Sequence, residues 1–194
     1  MAGRQTLEAV LLDFDGTIFD LALDLTDFKN HWKTAGSSVS MILNTLKGQE
    51  LESATRQLEA IELNGVVQGK PAVYAADAIA QLTARYKLGV VSGTGRAAIE
   101  AGLKQITQLQ IPIISRESTS AQKPSPQPVQ LALQQLGVTR AILVGDSERD
   151  VQAAKAAGIE CVVIANPKLE YAPLGAHYYL DTLRELPALM ERLT

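Results

Sequence analysis

At 194 residues, 46% hydrophobic and 20% charged, the chain has the make-up of a globular protein of one ordinary domain, or one domain carrying a small insert. A net charge of −3 argues against a general nucleic-acid or anionic-membrane binder, and 5% aromatics leave few rings for stacking on bases. No apolar stretch approaches membrane-spanning length, the N-terminal MAGRQTLEA lacks the apolar core of a secretory signal, and the lone Cys161 sits in an apolar run. These features predict a soluble, cytoplasmic protein in which Cys161 is a buried strand residue.

The first apolar run, 8–13, predicts a strand closing on Asp13-Phe14-Asp15-Gly16-Thr17. Alternation in an extended segment puts Asp13 and Asp15 on one side of the strand end, where two acids repel unless they share a proton or a cation. From 21 to 70 no convincing strand appears. Helical patterns run over 21–34, through Val39, Ile42, Leu43 and Leu46, and through Leu51, Ala54, Leu58, Ile61 and Glu62. Gly36-Ser37-Ser38 separates the first two, and Asn64-Gly65 through Gly69-Lys70-Pro71 closes the segment. The stretch reads as a small helical insert over the strand ends, the alternative being ordinary crossover helices on the sheet. Lys29, Lys33 and Lys47 read as solvated helix lysines, His31 as a surface or packing residue and Trp32 as a core anchor.

Beyond the insert, strands are predicted over 87–92, 111–115, 141–146, 160–165 and 177–180, and helices over 73–86, 97–107, 127–136, 148–157 and 182–193. Gly137 and Gly158 fit helix C-caps. Strands that are apolar throughout, alternating with helices, specify an α/β fold: a parallel sheet covered on two faces, Rossmann-like, in three layers. In such folds ligands bind beyond the carboxyl ends of the strands, where Asp13, Ser92 and Asp146 all fall. Ser92 leads into Gly93-Thr94-Gly95, a turn whose hydroxyl and N–H groups can bind phosphate oxygens. Lys123-Pro124 lies in a polar loop; alone, Lys123 reads as a surface lysine that could reach back toward the acids. Asp150 follows Asp146 by one helical turn, so the two can share a site, although helix capping is the commoner reason for acids there.

A phosphoryl-transfer site needs a nucleophile, an acid for the leaving group, and positive charge and donors for the phosphate. Asp13 and Asp146 at neighbouring strand ends would form a hard oxygen site suited to Mg²⁺. Asp15 could protonate the leaving alkoxide and later deprotonate the water that resolves an aspartyl-phosphate.

DFDGT, LGVVSG ending in Ser92-Gly93, Lys123-Pro124 and VGDSERD (144–150) resemble the four ordered motifs of the haloacid dehalogenase-like hydrolase superfamily. The resemblance covers the chain outside 21–70, tail included. It implies a core of 1–20 and 71–194, with 21–70 as a small all-helical cap of type 1, as in the phosphoglycolate phosphatase-like branch. By resemblance, Asp13 is the nucleophile and a Mg²⁺ ligand. Asp15 is the acid/base, its carbonyl also on the metal; Ser92 and Gly93 bind the phosphoryl group; Lys123 offsets negative charge; Asp146 ligates the metal, with Asp150 either on the ion or directly behind its ligands. Dehalogenases of the superfamily lack an acid at the position of Asp15, so its presence implies a phosphatase or phosphomutase with a small phosphorylated substrate. The stretch 21–70 is short for a cap of this type. The expected activity is Mg²⁺-dependent phosphomonoester hydrolysis; a phosphomutase or a non-catalytic binding member are the alternatives.

Overall fold

Each apolar run predicted as a strand becomes one. The computed structural model describes residues 6–32, 38–166 and 175–193; the N-terminal MAGRQ, Lys33 and the Gly36-Ser37 pair lie outside the described residues. In chain order, β1 (Ala9–Leu12) and β2 (Phe19–Asp20) precede α1 (Thr26–His31), α2 (Val39–Thr45) and α3 (Gly48–Gln68). Then come β3 (Lys70–Pro71), α4 (Ala75–Leu82), β4 (Lys87–Val91), α5 (Arg96–Ile106), β5 (Ile113–Ile114) and α6 (Gln127–Leu136). β6 (Ala141–Gly145), α7 (Glu148–Ala157), β7 (Glu160–Ile164), β8 (Tyr178–Leu180) and α8 (Leu186–Leu193) complete the chain.

Six strands pair in the order β5-β4-β1-β6-β7-β8, every neighbour parallel. β1 lies between β4 and β6, with Leu12 level with Val90 and Val144. Side chains alternate across the sheet. Val10 and Leu12 join one core with Ile79, Ile99 and Leu186 from α4, α5 and α8; Ala9 and Leu11 join the other with Val129 and Ala153 from α6 and α7. Three layers result, as the apolar strands require. Gly137 and Gly158, at φ 62° and 75°, close α6 and α7 in the left-handed conformation. Among the described residues, no helix is long and apolar enough to cross a membrane.

Elements shorter or longer than predicted have local causes. β5 keeps only two residues of 111–115: it is the edge strand, and Pro112 has no N–H to donate to the ladder. α4 begins at Ala75 because Tyr74 sits at φ 67°. α3 runs straight through Asn64-Gly65, which the sequence marks as a turn. There the glycine serves close packing instead: a Cβ on Gly65 would lie 2.8 Å from Leu23 Cδ2, and its carbonyl accepts the Ala22 N–H at 3.2 Å. Residues 21–25 run non-helical past α3, which is why α1 fills only part of 21–34. The stretch without strands also ends differently: Phe19 and Asp20 pair antiparallel with Pro71 and Lys70 in a ribbon too short to leave a pattern.

Between the halves of that ribbon, Phe28, Ile42, Ala54 and Leu58 form a third, small core, with Trp32 packed against it. The Trp32 indole donates to Gln57 Oε1 at 2.8 Å, and exposed His31 stands edge-on to its ring. Lys29 on α1 is exposed, as a solvated helix lysine is; Lys47 is exposed too, but stands just before α3 in an extended conformation.

Candidate active site

The DFDGT segment turns sharply because its second half hangs from one carbonyl: Phe14 C=O accepts from the N–H groups of Thr17, Ile18 and Phe19. Phe14 and Phe19 stack at 5.3 Å in the core, so the turn is anchored by apolar burial. Gly16 is required twice over. Its φ is 81°, and a Cβ there would lie 2.2 Å from Asp146 Oδ2. The turn thus reaches across to the end of β6, bringing motifs 130 residues apart into contact.

Asp13 directly follows β1 and stays in the ladder through its N–H to Val144 C=O at 2.8 Å. Its Oδ1 accepts from Phe14 N at 2.7 Å and from Lys123 Nζ at 3.0 Å. Lys123 also clasps Asp150 Oδ1. This corrects the reading of Lys123, taken singly, as a solvated surface residue: its side chain is 8% exposed, because two carboxylates hold it in the interior. Burial alone would lower its pKa, but Asp13 and Asp150 outweigh that and hold it at about 12, so it stays charged.

Asp150 is wholly buried at the third position of α7. Its Oδ2 accepts from Ser147 N and Ser147 Oγ in a capping box, so capping and site placement coincide in one residue. Gly145 leaves the room, since a Cβ there would lie 2.3 Å from Asp150 Cγ. Asp146 accepts from Asn166 Nδ2. Carboxylate oxygens of Asp13, Asp146 and Asp150 lie within 4.8 Å of one another. Burial first, then the neighbouring acids, pushes Asp13 up to about 7 and raises Asp146. Three buried acids against one lysine leave surplus negative charge, a donor set that fits a hard divalent cation such as Mg²⁺.

Asp15 stands apart from this trio. Its Oδ1 accepts the Leu21 N–H at 3.1 Å, which ties the carboxylate to the start of the insert. Alternation along the strand does not carry to Asp15 because β1 stops at Leu12 and the turn intervenes. Ser92 follows β4, buried, with its Oγ 3.4 Å from Thr94 N and Thr94 Oγ1. Gly93 is exposed, and nothing lies within 4 Å of where its Cβ would be, so this turn opens to solvent. The Cys161 thiol, pushed up to about 12 by burial and then by Asp150, is an inert strand residue.

The sequence profile of the haloacid dehalogenase-like hydrolases matches residues 10–164, most of the chain. The chain belongs to this family. It is 30% identical to a phosphoglycolate phosphatase (plasmid) of Cupriavidus necator over 94% of this chain and 92% of that protein. It is 26% identical to the pyrophosphatase PpaX of Oceanobacillus iheyensis over 82% and 84%. Among solved structures, CbbY from Rhodobacter sphaeroides in complex with phosphate is similar at a TM-score of 0.66 and 25% identity, covering 93% of this chain and 96% of that one. This haloacid dehalogenase-like hydrolase is therefore an enzyme of the phosphatase type.

Reading the motifs of the hydrolase misses three of its residues. Asn166 holds Asp146; the one hint is that it follows β7 in a fold whose strand ends bind ligands. Glu62 on α3 and Arg116 after β5 pair at 2.6 Å beside the Ser92–Gly95 turn. An acid on the otherwise apolar stripe of α3 is the only trace of that pair in the sequence.

Proposed function

We propose that this hydrolase is a Mg²⁺-dependent phosphomonoesterase working through an aspartyl-phosphate on Asp13. The observation that carries this reading is the gathering of Asp13, Asp146 and Asp150 around Lys123 at adjoining strand ends. Asp13 and Asp146, the Asp15 main-chain carbonyl and Asp150 beside them would hold the ion. When bound, Mg²⁺ neutralises the charge that otherwise keeps a carboxylate from approaching a phosphate.

Asp13 Oδ attacks phosphorus and the bond to the leaving oxygen breaks. Asp15 supplies the proton that the departing alkoxide takes up, then removes one from the water that attacks the aspartyl-phosphate, which frees phosphate and restores Asp13. Ser92 Oγ and the backbone at Gly93 receive phosphoryl oxygens, and Lys123 balances charge on Asp13 and on the transferred group. Asp150, whose two oxygens are engaged by Lys123 and Ser147, keeps that lysine aimed. In this reading 1–20 with 71–194 forms the catalytic core and 21–70 the lid over a small phosphorylated substrate, in the cytoplasm. The phosphoglycolate phosphatase relatives support it, as does the intact acid at Asp15.

The deciding experiment is phosphate release by the purified chain from a panel of phosphomonoesters, 2-phosphoglycolate among them, and from pyrophosphate, with Mg²⁺ and then with EDTA. Metal-dependent release from a monoester well above pyrophosphate supports the reading; pyrophosphate foremost, or no release, overturns it.

Metal binding should also register as a pH-dependent change in stability. The Asp13 carboxyl lies at about 7 in the fold against an ordinary 3.8. The native state therefore binds this proton more tightly than the unfolded chain, and without metal its ionisation takes stability away as pH rises from 3.8 through 7. Mg²⁺ should raise Tm more at about pH 8 than at about pH 5. Equal shifts at the two values would show that these acids are not its ligands.

A further inference from the structure

The buried stripe of α3 reads Ala54, Leu58, Glu62, Val66, with a glutamate where apolar residues stand on either side. Ala54 and Leu58 belong to the small core of the insert and Val66 to the main core, so Glu62 sits where α3 passes from one to the other. Its carboxylate takes a two-pronged grip from Arg116, Nη1 to Oε1 at 2.6 Å and Nη2 to Oε2 at 3.1 Å, and accepts the Gly95 N–H at 3.1 Å. The two side chains are 6% and 11% exposed. A buried ion pair adds little net stability over an apolar contact, so its worth lies in what it aligns.

Arg116 holds the turn after β4 by two further bonds, Nη1 to Gly93 C=O and its own N–H to Thr94 C=O, each at 3.2 Å. Residues 93, 94 and 95 are therefore all gripped by the pair. A Cβ on Gly95 would lie 2.8 Å from Arg116 Nη2 and from Glu62 Oε2, so the glycine admits the clasp. On its other side the Arg116 carbonyl accepts Gln122 Nε2 at 2.8 Å, and Gln122 directly precedes Lys123. One ion pair thus ties the insert to the Ser92–Gly95 turn and to the base of the lysine loop.

We propose that Glu62 and Arg116 are positioning residues of the phosphoryl site: seating α3 on the turn fixes the orientation of its phosphate-binding groups. The inference rests on the preceding reading only for the role of that turn. Removing the carboxylate frees Gly95 N–H and leaves Arg116 with the more exposed Glu117, at 3.5 Å, as its ion-pair partner, so the turn loosens while the two main cores stay whole.

The test compares the full chain with Glu62→Ala, Glu62→Gln and Arg116→Lys by hydrogen exchange, Mg²⁺-dependent hydrolysis of p-nitrophenyl phosphate, and binding of inorganic phosphate with Mg²⁺. In Glu62→Ala, exchange over 92–96 should rise about tenfold with β6 and α7 unchanged, and kcat/KM and phosphate affinity should each fall about tenfold. Glu62→Gln, which keeps an acceptor for Gly95, should lose less, and Arg116→Lys, which keeps charge without the fork, should fall between. A folded Glu62→Ala with wild-type exchange over 92–96, or a loosened turn with unchanged kcat/KM and phosphate affinity, overturns the proposal. If the wild type binds phosphate but releases none from any ester, the phosphatase reading fails, and phosphate affinity alone decides the role of the pair. If it neither binds nor hydrolyses, the two readings fall together.

Discussion

Asp13→Asn should abolish Mg²⁺-dependent phosphate release while leaving the protein folded. Asparagine keeps the shape, and its carbonyl can still accept from Phe14 N and Lys123 Nζ, the two bonds that hold Asp13 in place. An amide cannot form the phosphoryl linkage, so kcat should fall by roughly four orders of magnitude or more, the scale on which losing a covalent nucleophile registers. The same change removes a carboxyl that burial and two neighbouring acids keep from ionising easily. In EDTA near neutral pH the variant should therefore melt no lower than the wild type, and it should lose much of the stabilisation by Mg²⁺. Phosphate release and melting curves read the two halves separately. Robust turnover by a folded Asp13→Asn would end the covalent mechanism.

Lys123→Met is expected to have the second largest effect, on stability as well as on rate. Methionine fills similar volume without the charge, leaving Asp13 and Asp150 facing each other with no cation between them. Breaking one partner out of a buried ion pair costs roughly 3–5 kcal/mol, and here one lysine serves two acids. The loss should be smaller below the Asp13 value of about 7, where that carboxyl can take a proton, and Mg²⁺ should recover part of it. Turnover should fall about a hundredfold or more, because the transferred group loses its nearest fixed positive charge. Denaturant titration at two pH values, with and without Mg²⁺, separates charge from packing. A loss that ignores pH and metal would make Lys123 a packing residue.

Much of this arrangement was legible because strand ends are visible as the ends of apolar runs. Asp13, Ser92 and Asp146 each follow one, and a parallel sheet places such ends along one edge. The helices at 127–136 and 148–157 show their limits for a similar local reason, since Gly137 and Gly158 end them. Residues whose role depends on distant partners left weaker traces. Nothing beside Lys123 records that Asp13 lies 3.0 Å from its ammonium, and only family resemblance singled it out. Asn166, Glu62 and Arg116 meet their partners across 20 and 54 residues, so neither spacing nor periodicity reaches them. Gly65 shows the opposite failure: a local signal for a turn was real chemistry used for another purpose, the approach of Leu23 to α3. Strand alternation does not position Asp15, because it ceases one residue before Asp13.

The ribbon of Phe19–Asp20 against Lys70–Pro71 has a consequence for how such an enzyme can diversify. Departure and return of the chain are neighbours, pinned together by main-chain pairing independent of what lies between them. Whatever is spliced between Asp20 and Lys70 closes the same short gap, and closure entropy rises only slowly with loop length. Asp13, Ser92, Lys123 and Asp146 thus lie outside the spliced stretch, while Glu62 on α3 lies inside it. A lineage can exchange this insert, lengthen it or pare it down while β1, β4 and β6 keep their register, provided α3 still brings a carboxylate to Arg116 and Gly95.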